Sequence, residues 1–237
     1  MHKIEMPQHV IDGVMRRRGK LHIHDTIEAA RTALLVIDMQ DVFVAPGELA
    51  EVPTAREIVP NINRLAEAMR AAGGAVVWVY ATFRPEERET WSVAFTNTYS
   101  PERADELFRR MGEGGSAQGL WHELDIREQD WRVEKTRYSA FIQGASDIEA
   151  RLRAAAIDTV VITGTLTNVC CDSTARDAMM RNFNVVMVSD ANAAMTDQDH
   201  NASLGQVFQI FGDVMTSDEV VERLVPAERA PRAETGS

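Results

Sequence analysis

Apolar residues occur along this chain in short, continuous runs that alternate with longer amphipathic segments. The runs over 33–37 and 75–81 contain no charged residue. Unbroken apolar runs of this length are typical of strands that are buried on both faces. Because such runs alternate with segments of helical composition, the pattern predicts a parallel sheet that is covered by helices on both sides.

The boundaries of these elements can be predicted from the same pattern. Thr54 and Glu57 have the spacing of a capping box at a helix start, but Pro60 conflicts with a regular first turn, so the helix is expected to begin or kink near it. The predicted fold class is α/β, a three-layer αβα sandwich with a mostly parallel, about six-stranded sheet. Strands are predicted over 33–37, 75–81, 131–135, 159–163, 184–189 and 213–216, and further helices over 101–111, 147–156, 172–182, 199–211 and 218–224.

Three regions depart from this alternation. Residues 1–30 are polar and weakly periodic, and we interpret them as an N-terminal extension that lies over the domain or over a partner subunit. Residues 31–224 form the predicted domain, and within it 83–130 are the least regular part and are expected to face the substrate. Residues 225–237 are rich in proline, alanine and charge and are predicted to be a disordered tail.

Composition narrows the possible partners. The 237 residues suffice for one large α/β domain. The formal net charge of −11 argues against nucleic acid or an anionic membrane surface as a partner, and no apolar run approaches the length that spans a membrane. The two cysteines are adjacent in sequence, so no disulfide framework is expected, and we predict a cytoplasmic protein.

The segment around Cys170 carries the most specific chemistry in the chain. A predicted strand, a turn of small residues and a predicted helix meet at this cysteine. The thiol is therefore expected at the carboxyl edge of the sheet, near the positive end of a helix dipole, where its pKa would be lowered. A thiolate in that position is a nucleophile, and this indicates an enzyme.

Asp38 and Lys135 each follow or end a predicted strand, and they supply a proton acceptor and a positive charge. Ligands of open parallel sheets bind beyond the carboxyl ends of the strands, so the two side chains are expected to converge with Cys170. Taken singly, each has a simpler interpretation: Asp38 as a turn cap, Lys135 as a surface lysine, and Cys170 as a small core residue.

Three segments together resemble the isochorismatase-like cysteine hydrolases: LLVIDMQDVF, VEKTRYSAF and TGTLTNVCCDSTARDA. The resemblance covers roughly residues 30 to 220. KTRYSAF and TNVC are most similar to the ureidoacrylate amidohydrolase branch. The resemblance implies a cysteine amidohydrolase that cleaves a C–N bond of a small linear amide, ureide or carbamoyl compound through a thioester intermediate.

The resemblance also implies roles for individual residues. Cys170 would attack a carbonyl carbon, and Asp38 would take the thiol proton and pass it to the leaving nitrogen. Lys135 would stay charged, hold Asp38 and favour the thiolate. A cis peptide would join Thr165 and Leu166, and the N–H groups of Leu166 and Cys170 would form the oxyanion hole.

Substrate contacts are less specific. Four side chains either contact the substrate or have a structural role, which is core packing or, for the asparagine, capping of a helix: Phe43, Phe83, Tyr138 and Asn168. Arg84 and Arg137 are either anchors for a carboxylate or members of surface salt bridges. Cys171 is expected to be structural, because adjacent side chains on a helix point about 100° apart.

No cofactor and no metal are expected. Nicotinamidases of this family bind a metal through an aspartate and histidines after the first strand, whereas residues 46–53 contain Glu48 and Glu51 but no histidine. His22 and His24 have a spacing that fits metal ligation on a strand, with a surface role as the alternative. Relatives generally assemble, so a homodimer or homotetramer is expected. The functional alternatives are an isochorismatase or nicotinamidase-type hydrolase, and a non-catalytic or redox-sensing protein on the same fold.

Overall fold

The computed structural model describes residues 1–227, so most of the predicted disordered tail, 228–237, lies outside the described residues. The strands are, in chain order, β1 (Ile27–Glu28), β2 (Thr32–Ile37), β3 (Ala75–Ala81), β4 (Trp131–Lys135), β5 (Thr159–Thr165), β6 (Asn184–Ala193), β7 (Asp213–Met215) and β8 (Leu224–Val225).

The helices lie between these strands, apart from the first, which precedes them. They are α1 (Gln8–Arg18), α2 (Asp41–Val44), α3 (Ala55–Ala71), α4 (Glu87–Thr90), α5 (Ser92–Asn97), α6 (Pro101–Met111), α7 (Ile148–Ala154), α8 (Asp172–Met180), α9 (Asp197–Gln206) and α10 (Ser217–Arg223). Short π-helical turns precede α8 and follow α9, over Thr167–Cys171 and Val207–Phe211.

The main sheet has six parallel strands in the order β4-β3-β2-β5-β6-β7, while β1 and β8 form a separate parallel pair. The chain starts this sheet at β2, builds outward to β4, and then returns to place β5 on the other side of β2. The strand order therefore reverses between β2 and β5, which is where a parallel sheet opens a crevice for ligands.

Both faces of the sheet are buried, as the unbroken apolar run of β2 predicted. Leu35 and Ile37 belong to a core shared with α7 and α8, whereas Leu34 and Val36 belong to a second core shared with α3. The alternation of side chains along a strand assigns successive residues to opposite faces. The predicted three-layer αβα sandwich with about six parallel strands is confirmed.

Two local features of the helices differ from what the sequence pattern offered. The N-terminal extension, for which no element was predicted, contains α1, and this helix buries Val10 and Val14 against the first core. Only these two positions of α1 are buried, so the periodic signal is weak. Thr54 makes no capping bond: its hydroxyl donates instead to the carbonyl of Ala194 at 3.1 Å, and Pro60 lies inside α3. The Thr54 hydroxyl therefore forms a tertiary hydrogen bond instead of the capping bond that the sequence pattern predicted.

The irregular segment over 83–130 builds a small core of its own. Its helices α5 and α6 bury a cluster that includes Phe83, Phe95, Leu107 and Met111. The helix predicted over 101–111 is confirmed as α6. None of the helices within residues 1–227 combines the length and the apolar character that a membrane crossing needs.

Candidate active site

Asp38 stands at the carboxyl end of β2, where its backbone is held by both neighbouring strands. Its N–H donates to the carbonyl of Val79 at 2.8 Å, and its own carbonyl accepts the hydroxyl of Thr165 at 2.8 Å. Its φ of 51° lies in the left-handed region, which aspartate tolerates better than most residues. Such a conformation persists where the surroundings impose it, and it is frequent at functional sites.

Gly164 allows the end of β5 to approach this position closely. It pairs with Ile37, has a φ of +114°, and a Cβ placed on it would collide with the carbonyl of Ile37. Any larger residue would push the two strands apart. Glycine at this position therefore brings the turn that carries Cys170 up to Asp38.

Lys135 ends β4, and its side chain runs inward rather than to solvent. Its Nζ lies 2.8 Å from Oδ2 of Asp38, and both side chains are only 1% exposed. Nζ also donates to the carbonyl of Arg137 at 3.1 Å. Burial opposes the charged form, but the Asp38 carboxylate and the neighbouring Cys170 outweigh it and hold the pKa of Lys135 above its usual value. The lysine is therefore an ammonium.

Cys170 lies in the turn before α8 and is 6% exposed. Its thiol faces both the Asp38 carboxylate and the Lys135 ammonium. Burial, and next the charge of Asp38, raise the pKa of this thiol, and Lys135 opposes the effect only in part. The expectation of a lowered thiol pKa was wrong, because burial and the neighbouring carboxylate outweigh the charge of Lys135.

The structure thus brings Asp38, Lys135 and Cys170 together in one cavity of about 190 Å³, which Leu166 also lines. The peptide bond between Thr165 and Leu166 is cis, as predicted. Apart from the ion pair with Lys135, neither carboxylate oxygen of Asp38 has an aligned hydrogen-bond donor among the described residues. These oxygens are therefore available to take up a proton.

The predicted substrate contacts divide into two groups. Phe43, Phe83 and Tyr138 line the cavity, whereas Asn168 is exposed and does not line it. Burial, and next a hydrogen bond to Tyr99, raise the pKa of the Tyr138 phenol, so it is protonated at neutral pH. Whether these side chains contact a substrate stays a prediction.

Much of the cavity wall was not predicted residue by residue. The irregular segment contributes apolar and aromatic side chains and one arginine: Trp91, Tyr99, Arg103, Leu107 and Met111. The Trp91 and Tyr138 rings meet edge to face at 4.8 Å between centroids. The sequence predicted only that residues 83–130 face the substrate. Among these five side chains, only the tryptophan is a rare residue type, and it was the one signal that could have marked this part of the wall.

The arginines near the cavity differ in how their charges are compensated. Arg84 pairs with Glu134 at 2.5 Å and lines a different groove. Arg137 lines the cavity, where it pairs with the buried Glu87. Arg103 lines the cavity and donates to the carbonyl of Leu49. Within residues 1–227, no carboxylate forms an ion pair with Arg103.

Other candidate groups lie outside the cavity. Cys171 is fully buried, its Sγ lies 3.8 Å from the carbonyl of Thr163, and burial raises the pKa of its thiol. His22 contacts Asp213 at 3.2 Å and Glu219 at 3.3 Å. In the part of the chain that the structure describes, no cluster of three or more histidine, cysteine, aspartate or glutamate side chains could hold a metal ion.

The isochorismatase domain family matches residues 32–219 of this sequence. The chain belongs to this family. The crystal structure of a cysteine hydrolase from Pseudomonas syringae pv. phaseolicola 1448A superimposes with a TM-score of 0.73 at 31% identity, covering 84% of this chain and 94% of that one.

Curated relatives cover a similar share of the chain. A probable inactive nicotinamidase of Arabidopsis thaliana is 32% identical over 196 residues, which are 81% of this chain and 96% of the relative. A ureidoacrylate amidohydrolase of Variovorax paradoxus is 30% identical over 222 residues, which are 85% of this chain and 84% of the relative. The chain is therefore a hydrolase of the isochorismatase family, and the predicted enzyme class is confirmed.

Proposed function

We propose that this hydrolase is a cysteine amidohydrolase, which cleaves a C–N bond of a small amide, ureide or carbamoyl compound through a thioester intermediate. One observation carries the proposal: the Cys170 thiol, the Asp38 carboxylate and the Lys135 ammonium face each other in a single cavity. The similarity to a protein named as a ureidoacrylate amidohydrolase supports the same chemistry.

In the acylation half, Sγ of Cys170 forms a bond to the carbonyl carbon of the substrate while the thiol proton moves to Asp38. The N–H groups of Leu166 and Cys170 stabilise the oxyanion of the tetrahedral intermediate. Asp38 then gives its proton to the leaving nitrogen, the C–N bond breaks, and the amine or ammonia departs. The acyl group remains as a thioester on Cys170.

In the deacylation half, Asp38 takes a proton from a water molecule, and the water oxygen attacks the thioester carbon. Collapse of the second tetrahedral intermediate breaks the C–S bond, and the proton on Asp38 returns to sulfur. Lys135 keeps its charge throughout and holds the carboxylate 2.8 Å from its Nζ. The free acid leaves, and the site returns to its starting protonation state.

The cavity limits the size and polarity of the substrate. A volume of about 190 Å³ lies below the roughly 300–1,000 Å³ of typical ligand pockets, so a small substrate fits. Aromatic and aliphatic side chains form most of its wall, so an apolar acyl or amine portion fits better than an extended polar one. Outside the three reacting groups, charge is available from Arg103, which no described carboxylate neutralises.

Two of the competing functions, isochorismatase and redox sensing, meet specific obstacles. An isochorismatase uses no cysteine nucleophile, so it would leave Cys170 without a role. Redox-sensing cysteines have a lowered pKa and are accessible, whereas burial raises the pKa of Cys170 and leaves it 6% exposed. Neither obstacle applies to an amidohydrolase.

The test is ammonia release from a panel of ureides, carbamoyl amino acids, nicotinamide and maleamate, followed by acid quench and mass spectrometry. We expect wild type to hydrolyse at least one compound and to carry the acyl mass on Cys170. Cys170→Ala should be folded and without turnover, and the buried neighbour variant Cys171→Ala should keep turnover within a few-fold. Turnover in Cys170→Ala would refute the nucleophile, and adducts of oxygen alone on Cys170 would favour redox sensing.

A further inference from the structure

His2 is buried, although it lies in a polar segment at the start of the sequence. Its side chain is 2% exposed and packs against the segment that connects β6 to α9. Nε2 accepts the N–H of Ala194 at 2.9 Å, and Nδ1 lies 2.7 Å from Oδ1 of Asp197. Because a backbone N–H can only donate, Nε2 carries no proton, so Nδ1 carries it and donates to Asp197.

The His2 ring lies flat against the ring of His200, with centroids 4.4 Å apart and an interplanar angle of 20°. His200 is fully buried, and its Nε2 donates to the carbonyl of Ser189 at 3.0 Å. Its Nδ1 accepts the hydroxyl of Thr167 at 2.8 Å. Burial lowers the pKa of His200 to about 4, so this ring is neutral at neutral pH.

Thr167 belongs to the turn that presents Cys170. It directly follows Leu166, whose carbonyl accepts the N–H groups of Val169 at 3.1 Å and Cys171 at 3.2 Å. The carbonyl of Thr167 accepts the hydroxyl of Ser203 at 3.2 Å. The Thr167 hydroxyl has a single proton, and it donates that proton to Nδ1 of His200. The orientation of this turn therefore depends on the position of the His200 ring.

We propose that His2 is a positioning residue for the catalytic cysteine, acting through the His200 ring and the Thr167 hydroxyl on the turn that carries Cys170. This inference rests on the proposed function, because it treats Cys170 as the nucleophile. His2, His200 and Thr167 do not line the cavity. They contribute to the reaction by fixing the sulfur and the oxyanion donors relative to the substrate.

The consequence is a loss in kcat with little change in KM. Without the His2 ring, the N–H of Ala194 loses its hydrogen-bond acceptor, and the His200 ring loses the ring that packs against one of its faces. The turn that contains Thr167 is then held less rigidly. A displacement of about 1 Å at a reacting atom can lower a rate about 100-fold. Substrate binding depends on cavity walls that these three residues do not form, and it should change little.

The experiment compares His2→Leu, which keeps bulk but makes no hydrogen bond, with His2→Gln, whose side-chain oxygen can accept from Ala194. His9→Leu is the matched control, because His9 is an exposed histidine of the same segment. Two quantities are measured for each protein: kcat and KM on whichever amide wild type hydrolyses, and the alkylation rate of Cys170 by iodoacetamide, located by peptide mass spectrometry.

We expect His2→Leu to lower kcat about tenfold or more, to leave KM within twofold, and to speed the alkylation of Cys170, because a freer turn exposes a thiol that is otherwise buried beside Asp38. His2→Gln should recover most of kcat, and His9→Leu should match wild type. If kcat and the alkylation rate of His2→Leu stay within twofold of wild type, or if alkylation becomes slower, the inference is wrong. Should wild type hydrolyse no amide, the proposed function fails, and the alkylation rates still decide this inference.

Thr167→Val interrupts the same connection at its other end and covers the case in which the His2 variants do not fold. It should lower kcat by a factor similar to that of His2→Leu. If both act through one connection, the double variant should fall no more than twofold below Thr167→Val. Losses that multiply as independent effects would overturn the inference.

Discussion

Replacement of Lys135 by methionine should destabilise the fold strongly, because it leaves a buried carboxylate without a counter-charge. Methionine keeps most of the length of the lysine side chain, so the change is mainly one of charge. Both partners are 1% exposed, and no aligned donor among the described residues would remain for the oxygens of Asp38. Removal of one partner from a buried ion pair costs about 3–5 kcal/mol.

The loss should depend on pH in a defined direction. A buried carboxylate without a partner can escape its cost by taking up a proton. In Lys135→Met the folded state then holds a proton that the unfolded chain releases above about pH 4. Stability of the variant relative to wild type is therefore better at pH 5 and falls as the pH rises to 8.

Urea unfolding at pH 5 and pH 8 measures this difference. The control is Lys20→Met, which breaks the ion pair with Asp25: the N–O distance is again 2.8 Å, but the side chains are 49% and 81% exposed, so the expected loss is below about 1 kcal/mol. The double variant Asp38→Asn/Lys135→Met should be more stable at pH 8 than Lys135→Met alone. The reasoning fails if Lys135→Met lies within about 1 kcal/mol of wild type at pH 8, or if the double variant is the less stable of the two.

Two further predictions concern charge in and near the cavity. Arg103→Gln should lower kcat/KM for a half-amide of a dicarboxylic acid about tenfold, because a charge-assisted hydrogen bond is lost. In initial-rate measurements, kcat/KM for the matching diamide should stay within twofold of wild type. The control Arg109→Gln, on the same helix but outside the cavity, should change neither value. His200 should make stability fall by about 3 kcal/mol between pH 6.5 and 4, because its pKa drops from 6.5 to about 4 on folding at about 1.36 kcal/mol per unit. Because the pKa of His200 is lower in the folded state, its contribution to stability is present above pH 6.5 and is lost as the pH falls. Urea titrations measure this loss, and the prediction is contradicted if the stability of His200→Asn depends on pH as that of wild type does.

The positions of the reacting groups could be predicted because they follow from rules about backbone. The unbroken apolar run before Asp38 required a central parallel strand, and β2 is central. Lys135 is the last residue of another strand of this sheet, and the Cys170 turn follows a third. Because parallel strands end at one edge, three separate sequence segments had to meet there. The sequence resemblance supplied the chemical roles, which strand patterns alone do not specify.

The features that could not be predicted depend on tertiary neighbours. The thiol of Cys170 was expected to have a lowered pKa from its place at a helix start, but its burial beside Asp38 decides the direction. The hydroxyl of Thr54 fits a local cap and instead donates to Ala194. The helix that carries Arg103 could be predicted, but its packing against the cavity could not, so the position of this arginine did not follow from the sequence. Nothing near His2 in sequence marks it as a buried residue.

The protonation of the three reacting groups fixes when the nucleophile can form. At rest Asp38 is negative and Lys135 positive, and their charges compensate each other across 2.8 Å. Ionisation of Cys170 would add an uncompensated negative charge to a cavity with apolar walls, and for this reason burial holds the thiol pKa high. In the proposed mechanism, the proton would therefore leave sulfur only as the new bond to carbon passes negative charge to the substrate oxygen. Because the thiolate would form only in that step, such a site would favour acyl transfer over reaction with oxidants, which need a standing thiolate.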